Sequence, residues 1–349
     1  MAGPLRVALV GYGTGGAYFH APLIAAVEGL RLAAVVTGNP TRRAQVQRDH
    51  PDALVLAKPA DVWADRDAFD LVVITTPNAT HVSLATEAID ARLPVVVDKP
   101  IAADAGEARA LVNRAEATGV PLTVYQNRRW DGDFRTLSRL LSDGSLGRPV
   151  RLESRFDRWR PTVAEGAWKE QPDNAGGILL DLGTHLVDQA LVLFGPVRSV
   201  YAEIDARRPG AAVDDDVFLA LTHHSGVHSH LWASTLAGQL GPRFRLLGDS
   251  AAYVTWGTDP QEAALRAGRK PGSPGFGDRP AAEWGTLGAG DAVRPYRTLS
   301  GEYARFYEGV VAALTTGAPM PVDPRDAVST LTVLDAARES AASRSIVDI

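Results

Sequence analysis

Three side chains in this sequence are suited to acid–base chemistry on an alcohol. Lys99 stands directly after an apolar run, in Val97-Asp98-Lys99-Pro100, and Asp181 and His185 are four residues apart. If their segment is helical, Asp181 and His185 share one face about one turn apart. Histidine titrates near neutral pH, a nearby carboxylate stabilises its charged form, and a lysine ammonium can hydrogen-bond a reacting oxygen. These residue types fit the oxidation of a secondary alcohol, in which a base takes the hydroxyl proton while hydride leaves the carbon.

Each of these residues also has a structural interpretation. A lysine at a strand end is often only solvated, and a histidine on a helix is more often structural than catalytic. Asp188 is equally well explained as a carboxylate on a helix surface. His20 either lines a site near a cofactor or caps the first helical turn, while Tyr303 and Tyr307 either reach a substrate or, as we favour, pack in the core.

A glycine-rich turn near the start of the sequence indicates a hydride acceptor. The segment Gly11-Tyr12-Gly13-Thr14-Gly15-Gly16 fits G-x-G-x-x-G between a strand-like and a helix-like segment. In this motif the first glycine permits a tight turn, the second lets the backbone approach a pyrophosphate, and the third allows close helix–strand packing. A purely structural glycine turn is the alternative, but the flanking elements favour dinucleotide binding by all six residues.

The end of the second predicted strand favours NADP, with NAD as the alternative cofactor. An NAD site has an acidic residue about 20 residues beyond the glycines, to bind the ribose 2′-hydroxyl. Here the chain reads Val36-Thr37-Gly38-Asn39-Pro40-Thr41-Arg42-Arg43, and the first acidic residue is Asp49. Arg42 or Arg43 can pair with a 2′-phosphate while Thr37 or Asn39 supplies hydrogen bonds. The alternative is that both arginines only solvate the start of a helix.

The pattern of apolar segments predicts the scaffold that positions these residues. Residues 1–124 alternate short apolar strands with helical patterns, and runs such as Leu71-Val72-Val73-Ile74 are typical of parallel strands covered on both faces. This alternation predicts an α/β fold that begins with a Rossmann domain, a doubly wound parallel sheet that binds NAD(P). Ligands of such sheets lie at the carboxyl ends of the strands, where Lys99 is predicted. The predicted strands are Arg6–Val10, Leu32–Thr37, Leu54–Ala57, Leu71–Thr75, Val95–Asp98 and Leu122–Tyr125, and the helices lie near Ala17–Val27, Thr41–Asp49, His81–Ala91 and Asp104–Thr118.

Residues 125–349 have a different pattern. Alternating apolar and polar residues, with turn residues at short intervals, predict an α+β domain for substrate binding and oligomerisation, built on a large, mostly antiparallel open sheet. The glycine- and proline-rich residues 271–291 predict a long surface loop, a type of segment that often forms a lid. The predicted strands are Val150–Phe156, Ser199–Ala206, Asp216–His223, Val227–Ser234 and a pair around Gly248-Asp249-Ser250, and the helices are Phe134–Leu141, Ile178–Phe194, Glu302–Thr315 and Pro324–Ser343.

Composition excludes several classes of partner. The 349 residues carry a net charge of -5, which gives no basic field for nucleic acid or an anionic membrane. Residues 1–10 are too short and strand-like for a signal peptide, so a cytoplasmic protein is expected. No cysteine is available as a ligand, and no metal is predicted. A polar sheet face or a subunit interface explains the four histidines His223, His224, His228 and His230 more simply than a metal site. The expected assembly is a homodimer or homotetramer formed through this sheet.

The assembled motifs resemble the glucose–fructose oxidoreductase/inositol dehydrogenase/MocA family over essentially the whole chain. The glycine turn, the lysine–proline pair after strand five and Asp-x-x-x-His on a later helix are markers of that family. The resemblance is closest to the branch that contains NADP-dependent scyllo-inositol dehydrogenases. The matching stretches are Phe19-His20-Ala21-Pro22-Leu23, Asn127-Arg128-Arg129-Trp130-Asp131, Trp159-Arg160-Pro161, Asp181–Asp188 with Gln189, and Glu262–Lys270.

The resemblance implies roles for individual residues. Lys99 corresponds to a catalytic lysine, Asp181 to an aspartate that orders the substrate, and His185 to a catalytic histidine. The lysine–proline peptide bond of that family is commonly cis, so a cis bond is expected at Lys99-Pro100. Asp98 stands where the family has a glutamate, which puts any hydrogen bond of that glutamate in doubt. The implied cofactor contacts are Thr76, Pro77, Asn78, His81, Asp98, Lys99, Pro100, Asn127, Arg129 and Trp130, and the implied substrate contacts are His20, Lys99, Arg129, Trp159, Asp181 and His185.

The resulting expectation is a reversible NADP-dependent dehydrogenase. It would oxidise a secondary alcohol of an inositol, of a scyllo-inositol-like polyol or of a sugar to the ketone, with hydride going to nicotinamide C4. One alternative is a regulatory protein that binds NADP and a sugar without catalysis. Another is a dehydrogenase of free or nucleotide-linked hexoses. Retention of Lys99, Asp181 and His185 together argues against the regulatory alternative.

Overall fold

The structure, a computed structural model, describes residues 3–164, 166 and 168–349. The chain folds into two compact units, neither of which is a single stretch of sequence. The first unit comprises the chain up to Asn127 with Gln261–Phe276 and Tyr303–Val328. The second comprises Arg128–Pro260, Gly277–Glu302 and Ser329–Ile349. The predicted first domain begins at residue 1, and residues 1 and 2 lie outside the described residues.

The first unit contains a six-stranded parallel sheet in the order β3-β2-β1-β4-β5-β6. Val10, Ile74 and Val97 have almost no exposed area, as expected for strands that are covered on both faces. Chain order reverses between β1 and β4, which is the switch point where doubly wound sheets bind ligands. The strands are β1 (Leu5–Val10), β2 (Leu30–Val36), β3 (Leu54–Leu56), β4 (Leu71–Ile74), β5 (Val95–Asp98) and β6 (Leu122–Tyr125), and the helices are α1 (Ala21–Ala26), α2 (Pro40–Asp49), α3 (Ala60–Ala64), α4 (His81–Asp90) and α5 (Ala105–Thr118).

The second unit contains a nine-stranded sheet in the order β14-β13-β12-β11-β7-β10-β9-β8-β15. All neighbours are antiparallel except β7 and β10, so the predicted fold class is confirmed. Helices α6 (Gly132–Ser142) and α7 (Thr184–Phe194) also belong to this unit. The strands are β7 (Pro149–Asp157), β8 (Val197–Asp205), β9 (Asp216–His223), β10 (His228–Ser234), β11 (Phe244–Gly248), β12 (Ala252–Thr255), β13 (Gly285–Gly288), β14 (Arg294–Tyr296) and β15 (Val347–Asp348).

Two later segments of the chain complete the first unit. They contain α8 (Gln261–Arg266) and α9 (Ala304–Thr316), and the last helix is α10 (Pro324–Ser343). Helix α9 packs against α1, and the Thr123 hydroxyl donates to the Val322 carbonyl (2.8 Å). A parallel sheet needs cover on both faces, but the covering segments need not follow the strands in sequence.

The prediction of a surface loop over residues 271–291 is wrong in part. Residues Gly285–Gly288 form β13, which pairs with β12 and β14. A Cβ on Gly285 would lie 2.4 Å from the Tyr253 hydroxyl, so glycine is required where this tyrosine crosses the strand. The glycine that suggested a loop is here the residue that lets a side chain approach the strand backbone.

Along the strands of the nine-stranded sheet, residues alternate between a buried apolar face and an outer face that is polar and aromatic. Leu219 and Leu221 of β9 are buried, whereas Phe218 lies on the opposite face, with its ring 5.1 Å from that of Trp232 on β10. The Arg155 guanidinium lies 3.9 Å from the centre of the Trp232 ring. Self-association through this sheet stays a prediction.

The four histidines of residues 223–230 lie on β9, on β10 and in the turn between these strands. His223 is buried, and its ring bonds the Gly195 carbonyl (2.8 Å) and the Ser229 hydroxyl (2.9 Å). Among the described residues, no group of three or more His, Asp or Glu side chains could hold a metal ion.

One apolar helical stretch is long enough to cross a membrane. Over the described residues the only such stretch is Pro172–Phe194, and 78% of its most apolar 18-residue segment is buried inside the protein. This degree of burial is typical of a core helix, and the stretch includes α7 with the predicted residue His185.

Candidate active site

The glycine turn has the geometry of a phosphate cradle. Gly11 has φ +103°, and a Cβ there would lie 2.9 Å from the Thr75 hydroxyl oxygen. A Cβ on Gly16 would lie 2.3 Å from the Gly11 carbonyl oxygen, so both positions require glycine. At Gly13 the nearest described atoms to such a Cβ are the Arg42 guanidinium nitrogens at 4.0 Å, which leaves room for a pyrophosphate beside the backbone. The residues present therefore fit a dinucleotide.

The helix after this turn differs from the prediction. Residues Gly15–His20 form a π-helical turn that leads into α1, whereas one continuous helix over Ala17–Val27 was predicted. π-helical turns of this kind are frequent at functional sites. The turn begins at Gly15, inside the glycine motif, so the free N–H groups of its N-terminus remain available to an anion.

The end of β2 places Arg42 beside the glycine turn. The Asn39 side chain caps α2 by accepting from the Arg42 backbone N–H (3.1 Å), and Thr37 is buried at the strand end. Arg42 is exposed, and its guanidinium lies near Gly13 as described. Arg43 is half-buried, and its N–H donates to the Asn39 carbonyl (2.9 Å). Of the two arginines, Arg42 is the one whose charge reaches the cradle.

The His81 ring lies between the two loops at the ends of β4 and β5. Its Nδ1 lies 2.7 Å from the Pro100 carbonyl oxygen and its Nε2 lies 2.8 Å from that of Thr76. Burial lowers the pKa of His81. The Lys99-Pro100 peptide bond is cis, in agreement with the expectation from the resemblance. Pro77 is exposed and Asn78 is buried, and both lie in the same loop as Thr76.

Asp98 lies at the carboxyl end of β5, between the glycine turn and a buried histidine. A Cβ on Gly15 would lie 2.9 Å from Asp98 Oδ2, and Asp98 Oδ1 accepts the Lys99 backbone N–H (2.8 Å). Asp98 Oδ2 is 3.6 Å from Nε2 of His20, which has no exposed area. Burial acts to raise the pKa of Asp98, but His20, Lys99 and His81 outweigh burial and hold it below its usual value. The carboxylate is therefore ionised.

His20 does not cap the first helix. It is the last residue of the π-helical turn, and its side chain makes no capping hydrogen bond to α1. Its Nδ1 instead lies 2.6 Å from the hydroxyl of Tyr307, a core residue of α9 as predicted. The sequence singled out both residues but gave no sign of their contact, because they are 287 positions apart.

Asp181 and His185 lie in one helical segment of the second unit. Asp181 belongs to a π-helical turn, Leu179–Gly183, that continues into α7, where His185 is 5% exposed. The His185 ring is 6.2 Å from that of Phe156. Asp181 Oδ1 accepts a hydrogen bond from the Lys169 ammonium (2.6 Å). Sequence reasoning missed Lys169, which precedes the helix in a short 3₁₀ turn and has no motif around it.

The interpretation of Asp188 as a surface carboxylate is wrong. Asp188 is 2% exposed and accepts two hydrogen bonds from Arg129, at 2.9 and 2.6 Å. This bidentate pair fixes the 3₁₀ turn Asn127–Trp130 against α7, and Trp130 is half-buried. Asn127, which ends the first segment of the first unit, is buried, whereas Trp159 is 60% exposed. The cofactor and substrate contacts implied for these residues stay predictions.

A buried arginine that the sequence did not indicate lies against Phe156, whose ring neighbours His185. Arg243 is 3% exposed, stacks 3.8 Å from the centre of the Phe156 ring and donates to the Gln189 side chain (2.9 Å). Gln189 in turn donates to the Arg128 carbonyl (3.0 Å). Burial lowers the pKa of Arg243 to about 10. Arg243, Gln189 and the Arg128 carbonyl thus form a hydrogen-bonded network beside α7.

Comparison with known proteins agrees with this arrangement. Residues 5–126 match a family model described as an oxidoreductase family with an NAD-binding Rossmann fold, and residues 138–349 match its C-terminal alpha/beta domain. The scyllo-inositol 2-dehydrogenase (NADP(+)) IolW of Bacillus subtilis is 34% identical over 96% of this chain and 93% of its own length. A D-apiose dehydrogenase of Rhizobium rhizogenes is 26% identical over 93% of this chain and 91% of its own. The solved structure of the putative oxidoreductase yvaA from Bacillus subtilis has a TM-score of 0.94, with 32% identity over 99% of both chains.

Proposed function

Because the chain belongs to the glucose–fructose oxidoreductase/inositol dehydrogenase/MocA family of NAD(P)-dependent oxidoreductases, we propose that it is an NADP-dependent cyclic-polyol dehydrogenase. Its substrate is an inositol, of which one ring CH–OH is oxidised reversibly to the ketone. The observation that carries the proposal is the position of Lys99, at the carboxyl end of β5 and on the β4–β5 side of the switch point. The full-length similarity to an NADP-dependent inositol dehydrogenase supports this substrate class.

The reaction removes one hydride and one proton from the alcohol. Bound nicotinamide supplies an acceptor for the hydride at C4. His185 takes the hydroxyl proton on its imidazole ring, and the Lys99 ammonium hydrogen-bonds the oxygen as it becomes a carbonyl. Asp181 orients a substrate hydroxyl, with its own carboxylate held by Lys169. In the reverse direction the same groups return the proton.

Arg42 is proposed to select NADP by pairing with its 2′-phosphate. We expect Arg42→Ala to weaken NADP binding by about 20-fold and to leave NAD binding within about twofold, since a guanidinium–phosphate pair contributes about 1.5–3 kcal/mol. Fluorescence titration with both reduced cofactors measures the two affinities. Arg48→Ala, an exposed arginine in the last turn of the same helix, is the control. Equal losses for NADP and NAD would contradict the assignment.

The substrate proposal is tested by following NADPH at 340 nm with a panel of polyols. The panel contains the inositol stereoisomers, free and nucleotide-linked hexoses, and D-apiose, which is included because a relative is named for that sugar. The proposal expects the highest kcat/KM with an inositol. A higher kcat/KM with D-apiose or a hexose would indicate that the substrate is a sugar and not an inositol. Tight NADP binding with no turnover on any compound would instead favour a regulatory protein.

A further inference from the structure

The nicotinamide half of the cofactor and the Asp98 carboxylate belong to the same part of the parallel sheet. The glycine cradle follows β1, and the 2′-phosphate site proposed at Arg42 follows β2, so the adenosine half is assigned to the β1–β2 side. A dinucleotide extends across the switch point, which directs its other half toward the ends of β4 and β5. Asp98 is the last residue of β5 and is 23% exposed. This inference therefore rests on the proposed function.

A buried chain of polar groups leads to this carboxylate. The Tyr307 hydroxyl lies 2.6 Å from His20 Nδ1, and His20 Nε2 lies 3.6 Å from Asp98 Oδ2. His20 and Tyr307 have no exposed area. The His20 ring also packs on Tyr125, with centroids 4.2 Å apart. Because His20 and Tyr307 are fully buried, the hydrogen bonds of their side chains are limited to neighbouring protein groups.

The tyrosine sets which nitrogen of His20 carries the proton. Burial raises the pKa of Tyr307 well above its usual value, so its hydroxyl keeps its proton and can donate to Nδ1. A neutral imidazole that accepts at Nδ1 has its own N–H at Nε2. That N–H faces Asp98 Oδ2 and favours the ionised carboxylate. Without the hydroxyl, the lone pair of the other tautomer can face the carboxylate and oppose its charge.

We propose that Tyr307 and His20 hold Asp98 as an anion at the cofactor edge, so that the site favours the oxidised, cationic nicotinamide over the neutral reduced form. An anion near the ring lowers the free energy of the cationic form and has little effect on the neutral one. His20 and Tyr307 are positioning residues that act through Asp98. The other titratable groups around the carboxylate and His20 are Lys99 directly after β5, His81 on α4 and Tyr125 on β6.

The inference is tested by measuring the dissociation constants of NADP⁺ and NADPH for the full-length protein between pH 6 and 8. Calorimetry is used for the oxidised form and fluorescence for the reduced form. We expect Asp98→Asn to shift the ratio of the two constants against NADP⁺ by about tenfold, the size of a one-unit pKa interaction. Tyr307→Phe shifts the ratio in the same direction by about threefold near pH 7.

Two further variants separate this role from a loss of packing. Tyr253→Phe removes a hydroxyl from an equally buried tyrosine in the other unit, and the expected ratio is that of the wild type. His20→Gln removes the imidazole, and its expected ratio lies on the side of Asp98→Asn. Thermal unfolding verifies that each variant is folded before its constants are compared.

The possible outcomes distinguish the inference from the proposed function. An unchanged ratio in Asp98→Asn, in a protein that binds both cofactor forms, overturns the inference and leaves the dehydrogenase proposal standing. A shift in Asp98→Asn with none in Tyr307→Phe or His20→Gln overturns the role of the buried chain. If the wild type binds neither form of the cofactor, the proposed function fails and the inference fails with it.

Discussion

Lys99→Met is expected to lower kcat for polyol oxidation by about a thousandfold while NADP affinity stays within about threefold of the wild type. Methionine keeps an unbranched stem but has no ammonium to stabilise charge on the reacting oxygen. That charge develops in the transition state, so the loss appears in kcat and only weakly in binding. Steady-state rates at 340 nm and a fluorescence titration with NADPH measure the two quantities.

The control for this prediction is Lys58→Met, which changes an exposed lysine of the same unit. Its kcat is expected to equal that of the wild type. Near-normal turnover of Lys99→Met, with cofactor affinity retained, would remove Lys99 from the mechanism. A large loss of NADP affinity without a change in kcat would make it a binding residue.

His185→Asn is expected to lower kcat/KM by about 100- to 1,000-fold and to abolish a pH-dependent rise in rate. Asparagine retains a polar side chain but cannot take up the hydroxyl proton. In the proposed mechanism the neutral imidazole is the base, so oxidation by the wild type is expected to accelerate as the rising pH removes the proton of His185. The rate of the variant should no longer follow that titration. Profiles of kcat/KM between pH 5.5 and 9.5 test this.

A second histidine variant provides the comparison for His185. His224→Asn alters an exposed histidine of the same unit, so its pH profile should match the wild type. The role of His185 would be rejected if its variant kept the wild-type profile with only a uniform loss of rate, because such a loss indicates a packing defect around α7.

The parallel sheet was predictable because its signal is local. The predicted bounds Val95–Asp98 and Leu122–Tyr125 are the observed bounds of β5 and β6. A strand buried on both faces is apolar at nearly every position, and this pattern is visible in four consecutive residues. The glycine turn was equally readable, since Gly11 and Gly16 are required by contacts with the adjoining strand ends and turn backbone.

The wrong predictions arose where one residue type serves two purposes. Glycine in Gly285–Gly288 was interpreted as a loop signal, but it makes room for Tyr253 beside a strand. A surface carboxylate explained Asp188 equally well because most helical aspartates are exposed, whereas Arg129 allows it to be buried. In both cases the deciding partner lies far away in the sequence.

The sequence by itself determined the dinucleotide-binding sheet, the cradle that follows β1 and the place of Lys99 at a strand end, because periodicity and turn geometry are properties of neighbouring residues. Only the tertiary structure decided which distant groups pair: His20 with Tyr307 across 287 positions, and Arg129 with Asp188 across 59. Buried polar groups must find hydrogen-bond partners, and which partner is within reach depends on how the segments pack. Candidate acid–base residues could thus be proposed from the sequence, whereas the pairing of buried polar groups required the fold.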